Sequence, residues 1–446
     1  MTALIWFRRD LRLGDNPAWA AATSAHDEVV ALFVLDPRLW DSAGPHRGPQ
    51  MAAHLRALDA QLQEVGGRLA VHHGNPVEVV VAAARGMDAV YWNDDYTPYA
   101  QQRDDAVAKA VNIAVHRLHG SVVHRPGTIL TGQDRPYLVF TPFWKRWRTT
   151  DWSVEPEPGV ARIAAETGDG IPDAPAPLMA GGEERARSRL ATFLERVDHY
   201  AEERDRPDLD TTSHLSADLK YGTLSPRRVI VETGEDTDGR AGLVRQICWR
   251  DFYAHVLYHF PHTATRALRS EYDAMEWHDD EEAFEAWCSG RTGYPIVDAG
   301  MRQLITEGWM HGRVRMITAS FLVKDLLIDW RKGERHFRRY LVDGDIAQNV
   351  GNWQWTAGTG ADAAPYFRIF NPVLQSAKFD PDGDYIRRFV PELTGLTAPT
   401  IHAPWEHGPA ELASANVILG ETYPYPIVDH AEAREETLAA YAKARS

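Results

Sequence analysis

With only two cysteines in 446 residues, Cys248 and Cys288, the chain cannot build a four-cysteine zinc or iron-sulfur site, and a disulfide framework is not expected. Long apolar runs are also missing. None reaches the roughly 18 residues of a membrane span, and the N-terminal MTALIWFRRDLRL places charges where a signal peptide needs its apolar region. A cytoplasmic protein without a membrane partner is expected. P-loop, zinc-protease and nucleophile-elbow motifs are absent. No metal is expected, so demanding chemistry must come from an organic cofactor or from ordinary side chains. Positive charge is scarce as well. The net charge of -15 works against phosphate binding, but residues 311–340 hold eight basic side chains against three acidic ones, so one segment is locally basic.

What is present points to two domains, the natural prior at this length. Five short apolar runs, at 3–7, 29–35, 69–72, 89–92 and 113–118, alternate with helical patterns and predict a doubly wound α/β parallel sheet over residues 1–125. No glycine-rich fingerprint follows the first run, which excludes a standard dinucleotide fold there. Pro156, Pro158, Pro172, Pro175 and Pro177, followed by Gly181 and Gly182, read as an interdomain linker spanning 126–182. Strand-like alternation then disappears, and residues 183–446 read as a large all-α domain.

Several motifs have two readings. His255, His259 and His262 are spaced like metal ligands, but Pro261 interrupts the helix and no carboxylate completes the set, so a structural role is the better reading. The hydroxyl cluster Thr212-Ser-His-Leu-Ser216 suits either a phosphate or a helix N-cap. Tryptophans crowd the helical half. In Asn352-Trp-Gln-Trp355 the two indoles, two residues apart on a helix, point to different sides and cannot fill one cavity, so a base-stacking or cofactor-facing role fits at least one.

Trp6-Phe-Arg-Arg-Asp-Leu-Arg12, Thr292-Gly-Tyr-Pro-Ile-Val-Asp298, Gly308-Trp-Met-His311, Arg315-Met-Ile-Thr-Ala-Ser-Phe321, Asp343-Gly-Asp345 and Arg368-Ile-Phe-Asn-Pro372 follow one another along nearly the whole chain. In this order they resemble the photolyase/cryptochrome family, and are most similar to microbial class I cyclobutane pyrimidine dimer (CPD) photolyases of the deazaflavin-antenna type. The resemblance implies a U-shaped FAD, reduced in the active state, in the helical domain. Tyr200, Thr212, Ser213, His214, Leu215 and Ser216 would hold its phosphate side. Arg250, Arg315, Asp343, Gly344, Asp345 and Asn349 would surround the rest, with Arg315 paired to Asp343 and Asn349 facing flavin N5. Trp353, Trp330 and Trp277 match the family's electron-carrying triad, although the same three could simply pack the domain.

For DNA, the resemblance implies that Trp249 and Trp355 flank a flipped pyrimidine dimer, with Met316 as a further lesion contact. Gln246 stands where the family usually has a lesion-contacting glutamate, and Gly312 where it usually has asparagine. Arg204 and Arg313 are the expected phosphate contacts. Tyr91-Trp-Asn-Asp-Asp-Tyr-Thr-Pro-Tyr-Ala-Gln-Gln-Arg-Asp104 resembles the type that binds 8-hydroxy-5-deazaflavin (8-HDF), here expected near Phe33 and Asp95. The Asn-Glu pair of members that bind methenyltetrahydrofolate is replaced by Tyr99-Ala100.

The implied activity is that of a deoxyribodipyrimidine photo-lyase, a monomer that uses light to repair CPDs in UV-damaged DNA by electron transfer from excited reduced FAD. One alternative is a cryptochrome-like blue-light receptor, which often carries a long C-terminal extension, whereas this chain stops soon after Tyr423-Pro-Tyr-Pro-Ile-Val428. The other is repair of (6-4) photoproducts, whose enzymes resemble this chain at Gln246.

Overall fold

The computed structural model describes residues 1–154 and 157–445. Pro156, assigned above to the linker, and Ser446, the last residue of the expected helical domain, lie outside the described residues. The chain forms two compact units. The first comprises residues 1–201, 213–261 and 342–347, and the second 202–212, 262–341 and 348–446.

In the first unit the five expected strands are all present: β1 (Thr2–Phe7), β2 (Glu28–Leu35), β3 (Leu69–His73), β4 (Ala89–Asn93) and β5 (Ala114–Leu118). They pair in parallel in the order β3-β2-β1-β4-β5. The apolar runs of β1, β2 and β4 are continuous because both faces are covered, whereas no residue of β5 is fully buried. Leu4, Trp6, Leu32 and Val90 face one cluster, while Ala3, Ile5, Phe7 and Phe33 face another. The chain turns into helix after β1, β3 and β4 by one device. Asn16, Asn75 and Thr97 each accept a backbone N–H one turn ahead, and a proline opens each helix. A sixth strand, β6 (Arg162–Ile163), pairs with β2 through Glu28 and Val29. Two residues are too short to leave a periodic signal.

Residues 126–182 hold more than a linker. Besides β6 they contain the helix α1 (Phe140–Arg148), whose Phe140, Phe143 and Trp147 fall on one face at helical spacing and are buried. That face packs on α2 (Asp238–His259). Phe140 stacks on Trp249 with ring centroids 3.7 Å apart, and Phe143 meets Phe252 edge-on at 5.2 Å. Asp251 of α2 accepts from Val123 N at 3.0 Å, His124 N at 3.1 Å and Trp147 Nε1 at 3.0 Å. These bonds explain why the compact unit takes in residues 213–261 and does not divide at residue 183.

The second unit is helical apart from isolated bridges among its described residues. No helix in the described chain is long and apolar enough to cross a membrane. Between α3 (Gly312–Ser320) and α4 (Trp330–Tyr340), residues Phe321–Asp325 form a π-helical turn that buries both Lys324 and Asp325. The Lys324 Nζ donates to the carbonyls of Ala357 (3.3 Å) and Tyr366 (3.4 Å) and lies 3.6 Å from the Tyr441 ring centroid. Burial pushes this ammonium down from its ordinary 10.5 to about 7. Between those values the unfolded chain keeps a proton that the folded chain has lost, so this group makes stability rise with pH, by about 1 kcal/mol per pH unit. Lys324→Met is expected to remove that rise, read as urea midpoints at pH 7.5 and 9.5. The same pH slope in the variant would contradict it.

Candidate flavin and nucleic-acid site

Within the first unit, the end of β1 and the segment 342–347 meet at Arg9. Its guanidinium pairs with Asp345 and, at 3.5 Å, with Asp95, while Nε donates to Lys220 O at 3.2 Å. Burial acts to lower the Arg9 pKa, but Asp345 and Asp95 outweigh it and raise the net value. Lys220 lies 3.9 Å from the Tyr221 ring centroid, and burial, reinforced by Arg47 and Arg9, pushes its pKa well below the ordinary lysine range. Asp95 thus belongs to a buried charged cluster. Phe33 differs: it is 5% exposed, lies in register with Phe7 and Val71, and is part of the sheet core. Tyr99, which replaces the folate-type asparagine, donates its hydroxyl to Asp36.

Arg250 donates to Leu219 O at 3.0 Å and to Ser121 O, tying α2 to two neighbouring segments of its unit. Burial lowers its pKa. Tyr200 stands edge-on to Phe193 at 5.6 Å. In the hydroxyl loop, His214 adopts a left-handed φ of 52°. Ser216 opens the helix Ser216–Tyr221, whose N-cap is the apolar Leu215 with no side-chain capping bond. The N-cap reading of this loop therefore does not describe it. The Thr211 and Thr212 hydroxyl oxygens are buried without a hydrogen-bond partner. Hydroxyls not used for capping are donors of the kind a phosphate needs, so the loop fits the phosphate side of a flavin dinucleotide.

Gln246 and Trp249 lie three residues apart on α2, hence on one helical face, and both are half-buried. Phe140 covers one ring face of Trp249, and the indole also meets Phe252 edge-on and Tyr253 at a tilt, both at 5.5 Å.

In the second unit, Trp353 is 2% exposed and packs edge-on against Phe337 (5.0 Å) and Trp287 (6.1 Å). A Cβ built on Gly333 of α4 would run into its indole, so only glycine lets the ring lie on that helix. Trp330 sits one turn earlier on α4 and is equally buried. The backbone of His278 donates to Leu327 O at 2.8 Å, which brings the neighbouring Trp277 to the segment leading into Trp330. The Trp277 ring meets Tyr441 edge-on at 6.3 Å. Asn349 donates its amide to the backbone and carboxylate oxygens of Glu334, both at 3.0 Å, which fixes the amide in one orientation. Trp355 is only half-buried, on another side of the helix Ile346–Ala357 than Trp353.

Arg315 donates to Met310 O at 2.7 Å. Asp343, its expected partner, belongs to the first unit. His311 accepts from Arg313 N at 3.2 Å and caps α3, a role that needs a neutral ring, and burial pushes its pKa down to about 4. Gln303 holds this turn by accepting from His311 N (3.2 Å) and the Tyr385 hydroxyl (2.8 Å). Gly312 is exposed, and a Cβ there would meet nothing within 4 Å. Met316 is half-buried on the same helix.

The locally basic segment 311–340 is largely neutralised within the fold. Arg313 pairs with Asp205 at 2.7 Å, and Arg204 faces the same carboxylate at 3.8 Å. Arg331, Lys332 and Arg338 also have acidic partners, and Lys324 is buried. Composition could not reveal these pairings. Glu334, Gln303 and Asp251 act as positioning groups that sequence reasoning missed, because each works through a partner at least eight residues away.

A parallel-sheet unit, a helical unit with a tryptophan cluster and a loop with buried, unbonded hydroxyl oxygens among the described residues fit a flavin-binding protein. Comparison with known proteins agrees. A family profile described as the FAD binding domain of DNA photolyase matches residues 243–443, and one described as DNA photolyase matches 3–160. The chain belongs to the photolyase/cryptochrome family. It is 42% identical to a protein of Agrobacterium fabrum named deoxyribodipyrimidine photo-lyase, over 98% of this chain and 97% of that one. Among solved structures it is similar to a bacterial class III photolyase from Agrobacterium tumefaciens, with TM-score 0.93, 40% identity and coverage of 100% and 98%. It is also similar to an archaeal photolyase from Sulfolobus tokodaii with two FAD molecules, with TM-score 0.88, 34% identity and coverage of 99% and 100%.

Proposed function

We propose that the chain is a lyase that repairs cyclobutane pyrimidine dimers in UV-damaged DNA with light, acting as a monomer. The observation that carries this reading is the placement of Trp353 on Gly333 of α4, one turn from Trp330, beside an Asn349 amide fixed by Glu334. When bound, FAD supplies the light-excited electron that splits the cyclobutane ring, the cofactor carrying the hard chemistry. Trp353, Trp330 and Trp277 carry electrons toward it during photoreduction. Thr212 and the loop 213–216, with Tyr200, Arg250, Asp343, Gly344 and Asp345, hold it. Arg315 would keep a positive charge beside the flavin ring, which favours a reduced, anionic form. Asn349 has no proton to give as an acid and suits a flavin kept reduced.

The damaged bases flip out of the duplex, as the handling of lesions by photolyases requires. Trp249 and Trp355 flank them, and Gln246 and Met316 contact them. Arg204 and Arg313 reach the backbone, their charge tempered by Asp205. The motifs favour class I, while the Agrobacterium neighbour is titled class III. Light-dependent repair of a defined CPD in an oligonucleotide tests the reading. Binding without repair would favour the receptor, and repair confined to a (6-4) lesion would reassign the substrate. Gly312→Asn, placed in open space, is expected to tighten CPD binding by about 1 kcal/mol, roughly fivefold, in a titration of dimer-containing DNA. Equal or weaker binding would mean that Gly312 does not face the lesion.

For the antenna we favour 8-HDF at the Asp95–Arg9 cluster; Phe33, expected beside it, is instead buried in the sheet core. The Tyr99 hydroxyl is already committed to Asp36 where folate-binding members carry asparagine. An absorption maximum typical of methenyltetrahydrofolate in the purified protein would overturn that choice, and a second FAD would show in the flavin stoichiometry.

A further inference from the structure

The outward face of α1 carries charge that the rest of the chain mostly hides. Lys145 and Arg146 are exposed, and among the described residues neither side chain makes a hydrogen bond or ion pair. The same helix places Phe140 flat against Trp249, 4° from parallel, with Arg245 over the opposite end of that contact at 5.3 Å from the Phe140 ring. Leu138 and Val139, just before the helix, are 41% and 51% exposed. Exposed basic and apolar groups thus lie on a segment whose buried face packs on Trp249.

We propose that α1 is a DNA-binding element: Lys145 and Arg146 contact backbone phosphates of the duplex whose damaged site lies at Trp249. This rests on the assignment of Trp249 to the lesion made above. Lys145 and Arg146 follow Phe140 by five and six residues, about 7–9 Å along a helix axis, or two to three base-pair rises of DNA. On a chain with net charge -15, exposed cations such as these two and Arg245 are the groups that offset the repulsion of phosphates near that site. The competing role, stabilisation of the α1 C-terminus by basic residues in its last turn, would act on folding alone.

The test is the salt dependence of DNA binding by the flavin-loaded protein, on duplexes with and without a defined CPD. Lys145→Ala/Arg146→Ala is expected to lower the slope of log K against log salt by about 1.8, equally on both duplexes. Flavin content and repair of bound dimer should be unchanged. Arg85→Ala/Lys109→Ala removes the same charge from other exposed positions and should leave the slope alone. An unchanged slope in the first pair, or an equal loss in the control, overturns the proposal. A change in melting temperature without a change in slope would assign the pair to helix stability and overturn it equally. If the parent shows no preference for the dimer while the first pair still lowers the slope on undamaged DNA, the lesion reading fails and the surface stands.

Discussion

Trp353→Phe is expected to leave the fold and flavin content in place and to abolish light-driven flavin reduction. The indole is buried between Phe337 and Trp287 and rests on Gly333, so a phenyl ring fits the same space with a small void, at a cost of about 1–2 kcal/mol. Electron supply is the sensitive quantity, because a phenyl ring is much harder to oxidise than an indole. Flavin absorbance under continuous blue light with an external reductant reads the route. Repair by chemically reduced protein reads the rest of the site and should persist. Photoreduction at the parent rate would remove Trp353 from the route. Loss of flavin along with loss of photoreduction would show that the residue is structural.

Asp251→Ala should produce the largest loss of stability, about 3 to 6 kcal/mol. It strips the acceptor from three buried N–H groups, those of Val123, His124 and the Trp147 indole, at about 1–2 kcal/mol each. Asp251→Asn keeps one acceptor oxygen and should lose less. Chemical denaturation measures both, and a loss below about 1 kcal/mol for the alanine variant would mean that water replaces the carboxylate. Trp249 and Arg250 directly precede Asp251, so the alanine variant should also weaken DNA binding at temperatures where it remains folded.

Asp251 shows what kind of information the linear chain withholds. The strands β1 to β4 were legible because each is largely a run of apolar residues followed by a capping residue and a proline that open the next helix, signals contained within a few positions. The helix α1 was hidden among the prolines of 126–182, although Phe140, Phe143 and Trp147 have helical spacing. Its partner, Trp249, lies more than 100 residues away. In the hydroxyl loop, both the capping and the phosphate readings were open until Leu215 proved to hold the N-cap position. Lys324 counted as one positive charge in a basic segment, yet burial in a π-helical turn makes it a group that titrates near neutrality.

Taken alone, the amino-acid sequence determined the parallel sheet, the helical half, the absence of a cysteine-based cofactor site and the residues that resemble a flavin and lesion site. These follow from periodicity, cap chemistry and ordered motifs, all local properties of a chain. The tertiary structure alone decided which cations are neutralised, since Asp205, Asp273 and Asp279 pair with Arg313, Arg331 and Lys332 of the 311–340 segment while Lys145 and Arg146 form no ion pair among the described residues. It likewise decided that Gly333 makes room for Trp353 and that Phe33 belongs to the core. Charge neutralisation and packing depend on distance through space between residues far apart in the chain, and composition does not encode that distance.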